Sequence, residues 1–422
     1  MKAIHFTIEP TNSGFTDQLM QFSAFYKLGL YLGFHYLHTP FFSGRSNASN
    51  LLSARVPDGS GLARRLFQRI KERLVRVEGP VAADVHEFIG INSYFVSICE
   101  QSLPAPQNAQ QLAIDLSDTH LRELGLASFN QLVDYLGSLS RQFADDSEVV
   151  PINPVLIKFR LSGPRTEFFS LIQANIPEFP DGLNLPEICS TSRARVPVKP
   201  LFRKRGRGLK ILLHVRQGDI GVIRTPWNTF MPVWSLRKDR LKEYDSFDQI
   251  ESATLLFEVA EYKSFLDAFV KRLDQPYEQI LVFSDGAKRG LRIVESCFNS
   301  FDWPVEKVER FRQSMSKYDE RQFRCFSTSR DVQLHVGEEP RKLLQLINSA
   351  IEADVIIVST QQRMMPKLVA LLCSRQGPKV IVLYKQNIPV NSDIIYNDQE
   401  RFIYVDIRNP DFDSLIQRIK CG

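Results

Sequence analysis

The chain has 422 residues, a length beyond which single hydrophobic cores usually stop growing, so two domains are expected. Apolar residues make up 43%, charged residues 24% and aromatic residues 11%, a globular composition that excludes disordered, collagenous and disulfide-scaffold proteins. The net charge of +5 is concentrated in residues 62–77, with six basic residues and one acidic, and residues 201–210, with five basic and none acidic, so the rest of the chain is acidic.

The N-terminal segment predicts a strand, a helix and a second strand. Apolar residues alternate over residues 4–8 as in a half-buried strand, and a loop containing Pro, Asn, Ser and Gly follows over residues 10–14. Apolar residues then recur at helical spacing over residues 19–32, and residues 34–38 have the pattern of a short strand. This βαβ order is typical of a parallel α/β sheet.

The middle of the chain has weaker patterns. Helical patterns recur within residues 118–143, and residues 154–159 resemble a strand. Residues 181–208 contain several prolines and arginines but no helical apolar period, which predicts a linker. We therefore expect two α/β domains, at 1–205 and 206–422.

Strand and helix patterns alternate in the second half of the chain, which predicts a parallel sheet covered by helices on both faces. The strand patterns lie at 208–215, 278–285, 354–360 and 379–384, and the helical patterns at 252–273, 341–353 and 366–374. A final amphipathic helix within residues 411–422 is a candidate to pack back on the N-terminal domain.

Polar residues follow three of these predicted strands. They are His214, Arg216 and Asp219 at the first strand, Ser284 and Asp285 at the second, and Ser359 and Thr360 at the third. Open parallel sheets bind ligands at the carboxyl ends of their strands, so these residues form a candidate site. The guanidinium of Arg216 suits phosphate oxygens, and so do the hydroxyls of Ser359 and Thr360. Because the Asp285 carboxylate can accept hydrogen bonds from a ribose or a base, the set suits a nucleoside diphosphate.

These motifs resemble the fucosyltransferase superfamily. His214-x-Arg216-x-x-Asp219 is similar to the H-x-R-x-x-D motif of α1,2-, α1,6- and protein O-fucosyltransferases. The segments Phe-Ser-Asp at 283–285 and Ser-Thr at 359–360 are similar to the FSD and ST segments of those enzymes. Departures from the family pattern include Gln217, where a basic residue is common, and three polar residues after the Ser-Thr pair.

The N-terminal segment at 13–19, Ser-Gly-Phe-Thr-Asp-Gln-Leu, also resembles the family's G-x-x-N-Q-L segment at the first strand-to-helix turn. Gly14 and Gln18 match that pattern and are therefore candidate donor-binding residues. Asp17 replaces the family's asparagine. Asp17 is nevertheless the first candidate for the base that deprotonates the acceptor hydroxyl, with Asp219 second, although an acid at a helix start has an equally good structural explanation.

The resemblance implies a GT-B fold, in which two Rossmann-like domains face each other across a cleft. In that fold the domain at 1–205 would lie on the acceptor side and the domain at 206–422 would bind the donor. It also implies an inverting, metal-independent glycosyltransferase that uses GDP-fucose as donor and needs no cofactor. Arg216 would contact the β-phosphate and offset the charge on the leaving GDP, His214 would orient the loop beneath the nucleotide, and Asp219 would support that loop. The alternatives are a GT-B transferase for another nucleotide sugar and a non-catalytic nucleotide-sugar-binding protein.

Other segments bear on metals and partners. The six cysteines have no zinc-site spacing, and the Asp-Phe-Asp segment at 411–413 is explained by capping of the last helix.

Residues 62–77 predict a basic amphipathic helix, which either packs on the core or contacts an anionic membrane that carries a lipid-linked oligosaccharide acceptor. We find no nucleic-acid-binding signature, no secretory signal pattern and no spanning segment. The expected location is cytoplasmic, with residues 62–77 as the candidate contact to the inner face of the membrane.

Overall fold

The chain divides into two compact units, Met1–Pro197 and Val198–Gly422. The boundary expected at 205/206 lies within the second unit, near its start. The computed structural model describes residues 4–9, 15–38, 89–91, 93–95, 110–145, 155–163, 166–194, 198–203, 208–218, 222–224, 230–233, 257–273, 275–296, 304–315, 317–327, 331–337, 340–360, 364–374, 376–385 and 400–420. Gly14, Asp219 and the basic segment 62–77 lie outside the described residues.

The N-terminal unit contains a four-stranded parallel sheet in the order β2-β1-β4-β3. Its elements are β1 (Ile4–Ile8), α1 (Phe15–Tyr31), β2 (His35–Tyr36), β3 (Gln110–Asp115), α2 (Asp118–Glu123), α3 (Phe129–Asp145), β4 (Val155–Arg160), α4 (Thr166–Asn175) and α5 (Leu185–Arg193). The predicted βαβ start and the predicted strand at 154–159 are confirmed.

Aromatic side chains join α1 to this sheet. Phe25 of α1 stacks on Phe159 of β4, with ring centroids 5.2 Å apart and planes 7° apart. Gly29 of α1 lies directly over the ring of Phe6 in β1, where a Cβ atom would collide with that ring. The absence of a side chain at Gly29 therefore allows the helix to lie close to the sheet.

The segment expected to be a linker contains the helix α5, so the prediction of an unstructured stretch at 181–208 is wrong there. Asn184 caps this helix, because its side-chain oxygen accepts a hydrogen bond from the Glu187 backbone N–H at 3.2 Å. Leu185, Ile188 and Cys189 are buried along one side. The nine-residue helix is too short and too polar for its apolar period to stand out in the sequence.

The C-terminal unit contains a six-stranded parallel sheet and an antiparallel hairpin. Its elements are β5 (Leu209–Val215), the hairpin strands β6 (Val222–Arg224) and β7 (Phe230–Pro232), α6 (Val259–Arg272), β8 (Tyr277–Ser284), α7 (Lys288–Ser296), α8 (Val305–Met315), α9 (Tyr318–Phe323), β9 (Val332–Val336), α10 (Pro340–Glu352), β10 (Val355–Ser359), α11 (Met364–Leu372), β11 (Lys379–Tyr384), β12 (Phe402–Asp406) and α12 (Phe412–Lys420).

The strands of the larger sheet lie in the order β9-β8-β5-β10-β11-β12. Leaving out the hairpin and counting along the chain, this is the order 3-2-1-4-5-6 of doubly wound, dinucleotide-binding sheets. The chain changes direction across the sheet between β5 and β10, which are hydrogen-bonded neighbours. The predicted strands β5, β8, β10 and β11 are confirmed, and the two-domain α/β class is consistent with both sheets.

The last helix packs against the core of its own unit, and its expected packing on the N-terminal domain stays a prediction. Phe412, Leu415, Ile416 and Ile419 of α12 are buried in the C-terminal core. The ring of Phe412 lies 5.4 Å from that of Phe265 in α6.

The carboxylate of Asp411 caps α12. It accepts a hydrogen bond from the Ser414 backbone N–H at 3.0 Å, as its interpretation as a cap predicted. Among the helices described in either unit, none has the length and apolarity needed to cross a membrane.

Candidate functional site

The candidate site lies at the carboxyl edge of the C-terminal sheet, around the switch between β5 and β10. Since β5, β8 and β10 are adjacent and parallel, the residues at their ends reach the same edge. The predicted residues brought together there are His214, Arg216, Ser284, Asp285, Ser359 and Thr360. His214 lies inside β5 and is 4% exposed, and Arg216 is the first residue after that strand.

Asp285 holds the loop that follows β5. One carboxylate oxygen, Oδ2, accepts a hydrogen bond from the Arg216 guanidinium. The other, Oδ1, accepts one from the Gln217 backbone N–H at 2.8 Å. The Asp285 side chain is 18% exposed and that of Arg216 is 29% exposed, so the ion pair leaves part of the Arg216 side chain accessible. Asp285, expected to bind a ribose or base, thus serves first to fix Arg216.

Glycines allow this loop to lie close to its neighbours. Gly218 has a φ of +45°, and a Cβ atom there would collide with the Asp285 carboxylate. A Cβ atom on Gly290 of α7 would lie 2.5 Å from the Gly218 carbonyl oxygen. The Gly218 backbone N–H donates to the Gly286 carbonyl at 2.8 Å. The loop is therefore packed tightly against the β8 end and α7, which restricts where Arg216 can point.

Ser359 and Ser284 are structural residues at their strand ends. Ser359 has no exposed surface, and its hydroxyl accepts a hydrogen bond from Tyr262 of α6 at 2.6 Å. Burial raises the pKa of Tyr262, so this residue stays a protonated donor. Ser284 accepts a hydrogen bond from the Gly286 backbone N–H at 3.0 Å and is 4% exposed. The Ser359 hydroxyl therefore has a partner within the protein, and its contact with a diphosphate stays a prediction.

Two other buried polar side chains, those of Thr360 and Gln217, have an atom without a hydrogen-bond partner among the described residues. Thr360 is 7% exposed and Gln217 is 2% exposed. Within the described part of the chain, Thr360 Oγ1 and Gln217 Nε2 have no hydrogen-bond partner. A buried polar atom without a partner costs free energy, so both atoms are candidates to contact a ligand at the switch. Gln217 was noted in the sequence only as a departure from the family pattern.

A cavity of about 690 Å³ opens next to Asp285, at the carboxyl ends of β8 and β9. Its lining includes cations, carboxylates and apolar side chains from α7, α9 and β9, among them Lys288, Arg292, Asp319, Phe323, Arg324 and Val336. Sequence patterns did not identify this cavity, because no strand or helix was predicted between residues 286 and 340.

The N-terminal candidates lie in the other unit. Asp17 is in the first turn of α1 and is half-buried, and Gln18 is 4% exposed. An acid in the first turn is favoured by the positive end of the helix dipole, which is a sufficient structural reason for Asp17. The role of Asp17 as a base stays a prediction. Among the described residues of both units, no group of three or more His, Cys, Asp or Glu side chains could hold a metal ion.

The fold and the site define a doubly wound α/β protein with a candidate nucleotide-binding loop at its topological switch. Comparison with known proteins found no family model that matches the chain, and no curated protein or solved structure that matches it. The likeness to fucosyltransferases therefore depends on the motifs alone.

Proposed function

We propose that the chain is a glycosyltransferase that moves a sugar from a nucleotide-sugar donor, GDP-fucose in the first instance, to a hydroxyl of a glycan acceptor. The observation that carries the proposal is the position of Arg216 and Thr360 at the switch of a 3-2-1-4-5-6 sheet. Doubly wound proteins bind nucleotides at that point.

Arg216 suits the chemistry because it is a cation held in place before the reaction. In the transfer, the bond from the sugar C1 to the diphosphate oxygen breaks and its electron pair stays on the nucleoside diphosphate. The Arg216 guanidinium, held by Asp285, would offset this charge, and Thr360 Oγ1 would donate to a phosphate oxygen. A fixed cation lowers the barrier more than a mobile one because it needs no reorganisation during the step.

The acceptor oxygen must lose its proton as it bonds to C1, with inversion in a single displacement. Asp17 is the candidate base within the described residues. Asp219, the second candidate, lies outside them. This assignment has its own test in the Discussion, separate from the test of donor binding.

Calorimetry on the full chain with GDP, UDP and CDP, with and without EDTA, tests the donor site. We expect GDP to bind in EDTA and this binding to be lost in Arg216→Ala. Arg272→Ala is a matched control, because Arg272 is exposed at the C-terminal end of α6. Helix α6 runs antiparallel to β8, so Arg272 lies toward the amino ends of the strands, away from the candidate site. A wild-type chain that binds none of the nucleotides would refute the proposal.

Transfer is then tested by release of GDP from GDP-fucose in the presence of candidate glycans. Binding of GDP-fucose without hydrolysis or transfer would favour the alternative of a non-catalytic nucleotide-sugar-binding protein. Release from a UDP-sugar but not from GDP-fucose would favour a transferase for another donor.

A further inference from the structure

The cavity and Arg216 share one neighbour, Asp285. Asp285 lines the cavity and also accepts the hydrogen bond from Arg216. A ligand whose diphosphate contacts Arg216 can therefore extend past Asp285 into the cavity. The volume of about 690 Å³ is within the range of small-molecule sites, about 300–1,000 Å³.

The walls of the cavity suit a flat heterocycle. Phe323 of α9 and Leu334 and Val336 of β9 supply apolar surface. Three cations, Lys288, Arg292 and Arg324, and three carboxylates, Asp285, Asp319 and Glu320, also line the cavity, so it offers both hydrogen-bond donors and acceptors. A nucleobase suits such a site, since its faces are apolar and its edge carries donors and acceptors.

Asp319 is the carboxylate best placed to recognise a base there. The oxygens of Asp285 already accept hydrogen bonds from Arg216 and the Gln217 N–H. Asp319 is held by one bond only among those described, from the Ala287 backbone N–H to Oδ1 at 2.7 Å. Its Oδ2 lies beside Gly286, 2.8 Å from where a Cβ atom of that residue would be, so Gly286 leaves room for this oxygen.

We propose that the cavity holds the base of the donor nucleotide, and that Asp319 determines base specificity by accepting N–H hydrogen bonds from a guanine edge. The inference rests on the proposed function. Guanine presents two adjacent donors, the ring N1–H and the 2-amino group, which match the two oxygens of a carboxylate. Uracil presents a single N–H flanked by two carbonyl oxygens, and a carboxylate repels these oxygens. Asp319 thus selects GDP-sugars over UDP-sugars.

The test measures calorimetric affinities of the full chain for GDP, inosine diphosphate, UDP and inorganic pyrophosphate. Inosine diphosphate lacks only the 2-amino group. Loss of one hydrogen bond to a charged group should make it bind the wild type about 10- to 100-fold more weakly than GDP. We expect Asp319→Asn to bind GDP and inosine diphosphate about equally and to keep its affinity for pyrophosphate.

Two further variants separate this inference from the proposed function. Asp285→Asn should weaken all four ligands together, because it releases Arg216. Glu320, the carboxylate next to Asp319, also lines the cavity but is exposed. Because the proposal assigns base recognition to Asp319, Glu320→Gln should keep the wild-type preference for GDP. A thermal melt of Asp319→Asn confirms that the variant is folded.

The outcomes are distinct. Wild type that binds neither nucleotide nor pyrophosphate overturns the proposed function. Wild type that binds GDP, with an unchanged GDP preference in Asp319→Asn, overturns only the assignment of Asp319. Loss of the preference for GDP in Glu320→Gln, together with an unchanged preference in Asp319→Asn, also overturns the assignment of Asp319.

Discussion

Replacing Lys27 by methionine should change how the stability of the N-terminal unit depends on pH. Lys27 of α1 is 4% exposed, and its Nζ donates to the Pro177 carbonyl oxygen at 2.6 Å. Burial lowers the pKa of Lys27 from 10.5 to about 8, although the nearby Glu178 acts in the opposite direction. Between these two values the unfolded chain holds a proton that the folded chain has lost, so Lys27 makes stability increase as pH rises.

The magnitude follows from the two pKa values. Each unit of difference corresponds to about 1.4 kcal/mol, so a shift from 10.5 to about 8 changes the free energy of unfolding by about 3 kcal/mol. The stability of wild type minus that of Lys27→Met should therefore rise by about that amount between pH 7.5 and pH 10.5. The lost bond to Pro177 adds an offset that does not vary with pH.

Urea unfolding followed by circular dichroism at several pH values measures this difference. Tryptophan fluorescence follows the C-terminal unit separately, because all three tryptophans lie there. Lys271→Met, which removes an exposed lysine of α6, is the matched control. A stability difference for Lys27→Met that stays constant from pH 7.5 to 10.5 would refute the reasoning.

Three further substitutions test the site. Tyr262→Phe leaves the buried Ser359 hydroxyl without its donor, so the free energy of unfolding, measured with denaturant, should fall by about 1–3 kcal/mol. GDP affinity should change little, and an unchanged free energy of unfolding would contradict this. Gly290→Ala places a methyl group against the loop after β5 and should weaken GDP binding, whereas Gly137→Ala, where a Cβ atom meets nothing within 4 Å, should not; equal affinities by calorimetry would contradict the packing argument. Asp17→Asn should abolish transfer in a product assay and leave GDP binding nearly unchanged, and full turnover by this variant would exclude Asp17 as the base.

The strands that sequence patterns identified best are the most buried ones. The apolar runs of β5, β10 and β11 stand out because both faces of these strands are covered. The edge strand β9 is only partly buried, and its sequence, Val-Gln-Leu-His-Val, mixes polar and apolar residues. Neither β9 nor the opposite edge strand, β12, was predicted. Patterns of hydrophobicity therefore identified the centre of the sheet and missed its margins.

For the site, the position of Arg216 at a strand end was predictable, but its partner was not. Arg216 and Asp285 are 69 positions apart, and Tyr262 and Ser359 are 97 apart. Such pairs are formed by strand order, which a local pattern does not contain. For the same reason, ligand contacts were predicted for Asp285 and Ser359, whereas the structure shows that both form hydrogen bonds within the protein.

The strand order also has a consequence for synthesis of the chain. The strands β5, β8 and β9 leave the ribosome before β10, which pairs with the other side of β5. Until β10 arrives, the apolar strand β5 has an unpaired edge, which is a site where nascent chains associate. Arg216 and Asp285 can meet in that early half, whereas Thr360 joins them only with β10. Truncations that end before residue 355 should therefore aggregate during expression.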